Sequence, residues 1–302
     1  MDRELLQKKT ESINEIIYRH LPEAGVHTEL ITEACSYSVK AGGKRLRPML
    51  MQETYRMFSD TEHDLLLESF MAAIEFIHTY SLVHDDLPAM DNDEFRRGLP
   101  TTHAKYGEAF GILAGDALLT LAFETPLRVM KEEKDPVRLA QAVSALSVLS
   151  EKAGICGMVG GQCLDVYAEK NEDFQTQKEE LSFIYYNKTS ALLQAAMMAG
   201  AILAGAPEDA VQAVSDIAGD VGIAFQIRDD ILDVTSTTEV LGKPVGSDEK
   251  NEKTTYLTFA GMEQAIADVE RYSNAAIERL KSLPQKNDFL EDLIRYLIDR
   301  NK

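Results

Sequence analysis

The sequence predicts an all-α protein, and three observations carry that expectation. Apolar residues recur at helical spacing in run after run, strand signals are scarce throughout, and glycine or proline stands where most runs stop. No Pro/Gly/Ser-rich linker interrupts the 302 residues, so they read as one domain spanning residues 1–302.

The elements follow in order. Leu5, Leu6, Ile13, Ile16, Ile17 and His20 mark one face of an opening helix that Pro22 stops. A second helix runs from about Glu29 to Lys40, and Gly42 and Gly43 end it, as glycine commonly does. Phe70 to His84 reads as a helix, and Tyr106 to Met130 as a long one, with Asp116 hydrogen-bonded in its core and Thr125–Pro126 kinking or ending it. Pro136 to Ala153 is a further amphipathic helix. Thr176 to Glu179 is a capping-box pattern that opens the next, which carries Lys188 and Thr189 before turning almost wholly apolar. Glu208 to Val234, Met262 to Ser282 and Asp288 to Arg300 complete the set, with residues 236–253 as a polar, Gly/Pro-bearing loop.

Composition narrows the function. Fifty acidic against 31 basic residues give a formal charge of -19, which argues against nucleic acid and anionic membrane as partners. Ala191 to Pro207, read as the longest apolar stretch, falls short of the ~20 residues of a membrane span and is taken as a packed central helix. Cys35, Cys156 and Cys163 form no CxxC pair and read as buried, reduced thiols. The charged N-terminus lacks an apolar signal core, so a cytoplasmic protein is expected.

The chemistry concentrates in HTYSLVHDDLPAMDNDEFRRGLPTTH, residues 78–103, where Asp85, Asp86, Asp91 and Asp93 precede Arg96 and Arg97. So much like charge is costly unless a cation neutralises it. Hard carboxylate oxygens suit Mg²⁺, which keeps several waters and is completed by substrate phosphates. Nearby arginines suit an anionic substrate. His78 and Asp85, seven apart, share a helical face, whereas Asp91 falls off it. Pro88 predicts a break near residues 87–90 that returns Asp91 toward Asp85. The alternatives are a solvated acidic loop or a calcium loop, and the latter lacks its glycine and terminal glutamate.

A second acidic group favours metal. FQIRDDILDV sets Asp229, Asp230 and Asp233 in an apolar helical run, with Asp229 and Asp233 on one face. Two acidic helix ends read as jaws on one metal cluster. GGKRLRP, residues 42–48, crowds three cations at a helix junction; it is not a P-loop, and by itself it reads as a solvated basic turn.

DDLPAMD and DDILD resemble the two aspartate-rich motifs of the trans (head-to-tail) isoprenyl diphosphate synthases, most of all their bacterial farnesyl-producing members. The resemblance covers nearly the whole chain. It implies an isoprenoid synthase fold, helices around a central apolar cavity, and condensation of isopentenyl diphosphate with dimethylallyl or geranyl diphosphate through a carbocation. By resemblance, Asp85, Asp91 and Asp229 hold Mg²⁺ with Asp86, Asp230 and Asp233 assisting. Lys44, Arg47, His78 and Arg97 bind isopentenyl diphosphate. Arg96, Lys188, Thr189, Gln226, Lys243 and Lys253 bind the allylic diphosphate, and Arg96, Lys188 and Lys243 stabilise it as it leaves. Gln162 and Asp165, in a GGQ-x-x-D element, support the diphosphate-binding lysine. Ser190 stands where the family has glycine. Tyr80 with Ser81 sets product length and implies farnesyl diphosphate, with a geranylgeranyl synthase as the alternative within the family. Beyond it stand a terpene cyclase, a non-catalytic partner subunit and a helical calcium-binding protein. A homodimer is expected.

Overall fold

The computed structural model describes residues 2–171, 173–235 and 254–298. Helices make up nearly all of the ordered elements, as the sequence predicts. They are α1 (Arg3–Arg19), α2 (Glu29–Lys40), α3 (Leu46–Phe58), α4 (Leu65–Asp85), α5 (Thr102–Tyr106), α6 (Glu108–Met130), α7 (Pro136–Ala153), α8 (Met158–Lys170) and α9 (Lys178–Ile184). A π-helix (Tyr185–Ser190) leads into α10 (Ala191–Leu203), α11 (Glu208–Thr235), α12 (Tyr256–Ser282) and α13 (Asp288–Ile298). Among the described residues the only strands are β1 (Phe95–Arg96) and β2 (Leu99–Pro100), antiparallel with Phe95 opposite Pro100.

The described residues form two compact units. One comprises Asp2–Gln52 and Asp60–Leu146; the other, Glu53–Ser59 and the chain from Ser147 onward. In the first, α4 is the core helix. Asp64 caps it by accepting from the Leu66 and Leu67 N–H groups at 2.9 and 3.3 Å, and Arg138 Nη2 holds both Asp64 oxygens at 2.7 Å. Phe70 through Ile74, Phe76 and Ile77 are sealed from solvent, so α4 is apolar on nearly every side, as a helix enclosed by neighbours must be. α4 packs on α6, where Ala114, Gly115, Leu118 and Ala122 face inward. In the second unit α11 packs against α10, α12 and the π-helix.

Several expectations are corrected in detail. Gly107, at φ 96°, divides the expected Tyr106–Met130 helix in two, while Pro126 leaves α6 continuous to Met130. Asp116 is exposed rather than buried, because it shares the outer face of α6 with Ile112, one turn away. The capping box is shifted by one residue: the Gln177 N–H donates to Glu180 Oε2 at 2.9 Å. α12 starts at Tyr256, six residues before the expected Met262, and its first turn is set off by a kink at Gly261, φ 72°. Of the cysteines only Cys35 is buried, where desolvation pushes its thiol up to about 11. Cys163 is exposed because it lies on the side of α8 away from the buried Gly161 and Asp165.

The apolar content is also distributed differently from the reading that singled out residues 191–207. Helices α4 and α6 and the stretch Pro136–Lys170 are long and apolar enough to cross a membrane by length and composition. The most apolar window of α4 is 83% buried inside the fold, and that of α6 only 44%.

Candidate active site

The basic turn between α2 and α3 is built on unusual backbone. Gly42 and Gly43 have φ of 90° and 141°, and Arg45 sits at 48°. Arg45 tolerates this because its side chain is tied on every side. Nη1 donates to Glu75 Oε1 at 2.6 Å, Nε to Asn14 Oδ1 at 2.8 Å and Nη2 to the Val39 carbonyl at 2.6 Å. The Arg45 and Glu75 side chains are 0% and 3% exposed. Arg45 is therefore the nail that fixes the turn to α4, and its neighbours are left for other work.

Those neighbours, Lys44 and Arg47, are further cations. Arg47 has a buried Nε with no hydrogen-bond partner. Burial pushes its pKa below the usual arginine range, with Arg97 adding repulsion and Glu75 opposing the shift. Arg97 lies in the two-residue turn of the β1–β2 hairpin. It has φ of 55° and Gly98 of 77°, the pairing a type I′ turn requires. Its guanidinium packs on Gly43, where a Cβ would fall 2.8–3.0 Å from it and push it aside. Burial lowers the Arg97 pKa too, and Arg45 and Arg96 repel it while Glu75 and Asp86 oppose the shift. Neither Arg47 nor Arg97 makes an ion pair within 4 Å among the described residues. His78 completes the group: desolvation first, then Arg47, Arg97, Arg45 and Arg96, hold its pKa well below 6.5, so it is neutral at pH 7. Lys44 is exposed beside them. A half-buried Arg47 with an orphaned Nε, beside Arg97 and a neutral His78, suits an anionic ligand.

The first acidic stretch forms as the proline predicts. α4 ends at Asp85, and residues 87–90 fold into a turn in which the Met90 and Asn92 N–H groups reach the Leu87 carbonyl at 2.9 and 3.1 Å. The Asp91 N–H returns to the Asp85 carbonyl at 2.8 Å, which brings the two residues together. Asp86 turns inward instead. It is 3% exposed and binds Arg96 Nε at 2.7 Å and Nη2 at 2.5 Å. Burial raises the Asp86 pKa and Arg96 opposes that rise.

Tyr80 is buried one to two turns before Asp85, and burial, with Asp85 adding to it, pushes its phenol up to about 12. Its ring meets His84 edge-on at 5.8 Å. The Ser81 hydroxyl donates to the His78 carbonyl at 2.9 Å.

In the second unit the functional side chains come already partnered. Lys188 and Thr189 lie in the π-helix, a widened turn of the kind that recurs at functional sites. Lys188 Nζ donates to Asp165 Oδ2 at 2.6 Å, which joins the GGQ-x-x-D element to the lysine. Gly161 permits this approach, since a Cβ there would lie 2.3 Å from the Lys188 backbone nitrogen. The Thr189 hydroxyl donates to Gln226 Oε1 at 2.9 Å. Ser190 is accommodated by Gly222, whose Cβ would stand 2.2 Å from the serine hydroxyl. On α11, Asp229 is half-buried and Asp230 and Asp233 are buried. Asp230 Oδ2 accepts from the Tyr185 hydroxyl and from the Tyr256 N–H, the latter at 2.8 Å.

Glu75 and Tyr185 were not singled out in the sequence. Glu75 left a signal, a charge in the middle of the apolar run FMAAIEFIH; Tyr185 left none. Lys243 and Lys253 lie outside the described residues. Among the described residues no three His, Cys, Asp or Glu side chains converge as a metal site. The donor set does fit magnesium. Asp85, Asp91 and Asp229 offer hard oxygens, with Asp91 tied back to Asp85 through its backbone.

Comparison with known proteins agrees with this chemistry. Residues 28–295 match the polyprenyl synthetase family. The chain is 40% identical to the farnesyl diphosphate synthase of Escherichia coli K12, over 98% of each chain. It is 39% identical to a geranylgeranyl diphosphate synthase of Cyanophora paradoxa, over 98% of this chain and 95% of that one. Its fold matches an FPP/GFPP synthase of Zymomonas mobilis at a TM-score of 0.84 and 32% identity, covering 98% of both chains. A Helicobacter pylori geranyltransferase, solved with magnesium and isoprenyl diphosphate, matches at 0.81 and 29% over 98% and 96%.

Proposed function

The chain belongs to the polyprenyl synthetase family and is a prenyltransferase, and from that premise we propose that its product is farnesyl diphosphate. The reaction condenses isopentenyl diphosphate with dimethylallyl and then geranyl diphosphate. The observation that carries the reading is the under-compensated cation cluster around neutral His78, because a diphosphate supplies the missing negative charge. Arg47 and Arg97 hold the diphosphate of isopentenyl diphosphate, with Lys44 and His78. Arg96, Lys188, Thr189, Gln226, Lys243 and Lys253 serve the allylic diphosphate.

Asp85, Asp91 and Asp229 would hold magnesium, with Asp86, Asp230 and Asp233 in support. The ion supplies positive charge against the departing diphosphate, the electrostatic work on which such a reaction depends. Arg96, Lys188 and Lys243 add fixed cations at the same group. The allylic cation that remains is attacked by the isopentenyl double bond, and a proton is then lost. Asp86, already clamped on Arg96, positions that arginine.

Tyr80 supports the chain-length assignment. It is a large ring, 6% exposed, five residues before Asp85, and in this reading it stops the growing chain. The geranylgeranyl product is the second reading, favoured by the Cyanophora relative. Incubating purified protein with allylic and isopentenyl diphosphates, with and without Mg²⁺, tests both. Farnesyl diphosphate formed only with the metal is the expected result. Tyr80→Ala is expected to shift products toward longer chains on chromatography, and an unchanged product length removes Tyr80 from this role.

The exposed apolar side of the first unit supports a homodimer. Ile112, Leu113 and Leu127 of α6 and Val137 and Val143 of α7 are exposed, and a second copy would cover such side chains. The burial of α4 and the net charge of -19 fit a cytoplasmic enzyme that works away from membrane and nucleic acid.

A further inference from the structure

α11 ends with three aspartates in its last two turns, at the pole where the helix dipole disfavours anions, and Asp229 and Asp233 repel each other at i and i+4. Helix ends fray unless something holds them. Two of the holding groups are neutral. Asp230, 4% exposed, points its Oδ2 at two donors. One is the Tyr185 hydroxyl; the other is the N–H of Tyr256, the first residue of α12, at 2.8 Å. The same N–H also reaches the Tyr185 oxygen at 3.2 Å, so the three groups form a closed triangle. The Tyr256 N–H is one of the donors a helix start leaves without an intrahelical partner, and an anion is favoured there.

The triangle is anchored outward as well. The Tyr256 hydroxyl donates to Asp268 Oδ2 at 2.8 Å, and Arg271 holds Asp268 Oδ1 at 2.9 and 3.0 Å. Tyr185 itself is 6% exposed and lies three residues before Lys188 in the π-helix. One hydroxyl thus ties together the π-helix, the end of α11 and the start of α12.

We propose that Tyr185 is a positioning residue: its hydroxyl pins Asp230 to the start of α12, and this fixes the rotation of the α11 end that presents Asp229. The inference rests on the reading of Asp229 as a magnesium ligand. It also gives Asp230 a different task from that of a metal ligand, since its Oδ2 is already engaged by two donors.

Tyr185→Phe removes one oxygen and keeps the ring, which faces a cavity of about 520 Å³ on its other side, so the fold is expected to persist. Two readouts follow. In a thermal-shift experiment, the Tm gain that Mg²⁺ plus inorganic diphosphate gives the wild type is expected to fall by more than half in the variant. In steady-state assays, the half-saturating Mg²⁺ and the KM for the allylic diphosphate are expected to rise about tenfold, the usual scale for losing a partner behind a metal ligand. The KM for isopentenyl diphosphate stays put. A Tyr185→Phe protein with wild-type thermal shift and magnesium response overturns the inference. So does one whose unliganded Tm and both KM values move together, which marks a merely structural role. A wild type with neither the diphosphate-dependent shift nor condensation overturns the functional reading itself.

Discussion

The cation cluster of the first unit and the acidic end of α11 in the second face mirror-image problems and solve them differently. Around His78, like charges are crowded with Glu75 and Asp86 as the named counter-charges, and only Arg45 is fully tied down. Around Asp230, the polar groups are met one by one: Lys188 by Asp165, Thr189 by Gln226, Asp230 by Tyr185 and the start of α12. In the proposed reading the first arrangement receives an anion. The second is a pre-tensioned set in which a ligand must compete with partners already in place. The difference teaches that the number of charges in a motif says little; which of them are spoken for says more.

Breaking the anchor of the first region should have the largest effect. Arg45→Ala leaves Glu75 as a buried, uncompensated carboxylate, at a cost of about 3–5 kcal/mol. Urea titration is expected to show that loss, and a stability within about 1 kcal/mol of wild type would mean that the pair anchors nothing. Next come the proposed metal ligands. Asp85→Ala and Asp229→Ala are each expected to lower kcat by about 10²–10³ with unfolding midpoints close to wild type, the scale of removing a group that acts on developing charge. If only one of the two variants loses activity, the two acidic segments do not serve one reaction step.

Exchanging the two regions' cations then sharpens the contrast. Arg47→Ala should raise the KM for isopentenyl diphosphate by about tenfold or more and leave the allylic KM nearly unchanged, since a charge-assisted hydrogen bond contributes about 1.5–3 kcal/mol. Lys188→Ala should do the reverse. It also removes a charged hydrogen-bond partner of Asp165, 4% exposed, so some loss of stability is expected with it. Initial-rate measurements with each substrate varied in turn give both patterns.

How much of this was legible before the structure follows from sequence distance. The break after Asp85 was readable because Pro88 dictates it locally, and so was the pairing of Asp229 with Asp233 on one face. The tie between Lys188 and the GGQ-x-x-D element was half-readable, as an association without a geometry. KRLR hid its division of labour: Arg45 and Arg47 look alike in sequence, and only burial against Glu75, 30 residues away, separates the nail from the receptor. Tyr185 was invisible for the same reason. Its partners stand 45 and 71 residues further along the chain, and nothing in YYNKTS distinguishes a packed tyrosine from a working one. Asp116 failed differently: an acid among small residues suggested burial, but the small residues face α4 and the acid does not.

The subtlest consequence of the comparison is a pH dependence confined to the first region. His78 is held neutral, its folded pKa depressed below the unfolded 6.5 by desolvation and then by the arginines. Below 6.5 the unfolded chain takes up the proton and the native state does not, so stability falls as the pH drops through that value toward the depressed one. His78→Gln removes this linkage. Between about pH 7.5 and about pH 5.5, the wild type is expected to lose more Tm than the variant, on top of whatever its carboxylates contribute to both. A diphosphate bound at Arg47 and Arg97 offsets the repulsion that keeps His78 neutral, so saturating isopentenyl diphosphate should shrink the difference between the two proteins. If the two lose Tm in parallel, His78 does not feel the arginines, and the cluster is less crowded with positive charge than its geometry implies.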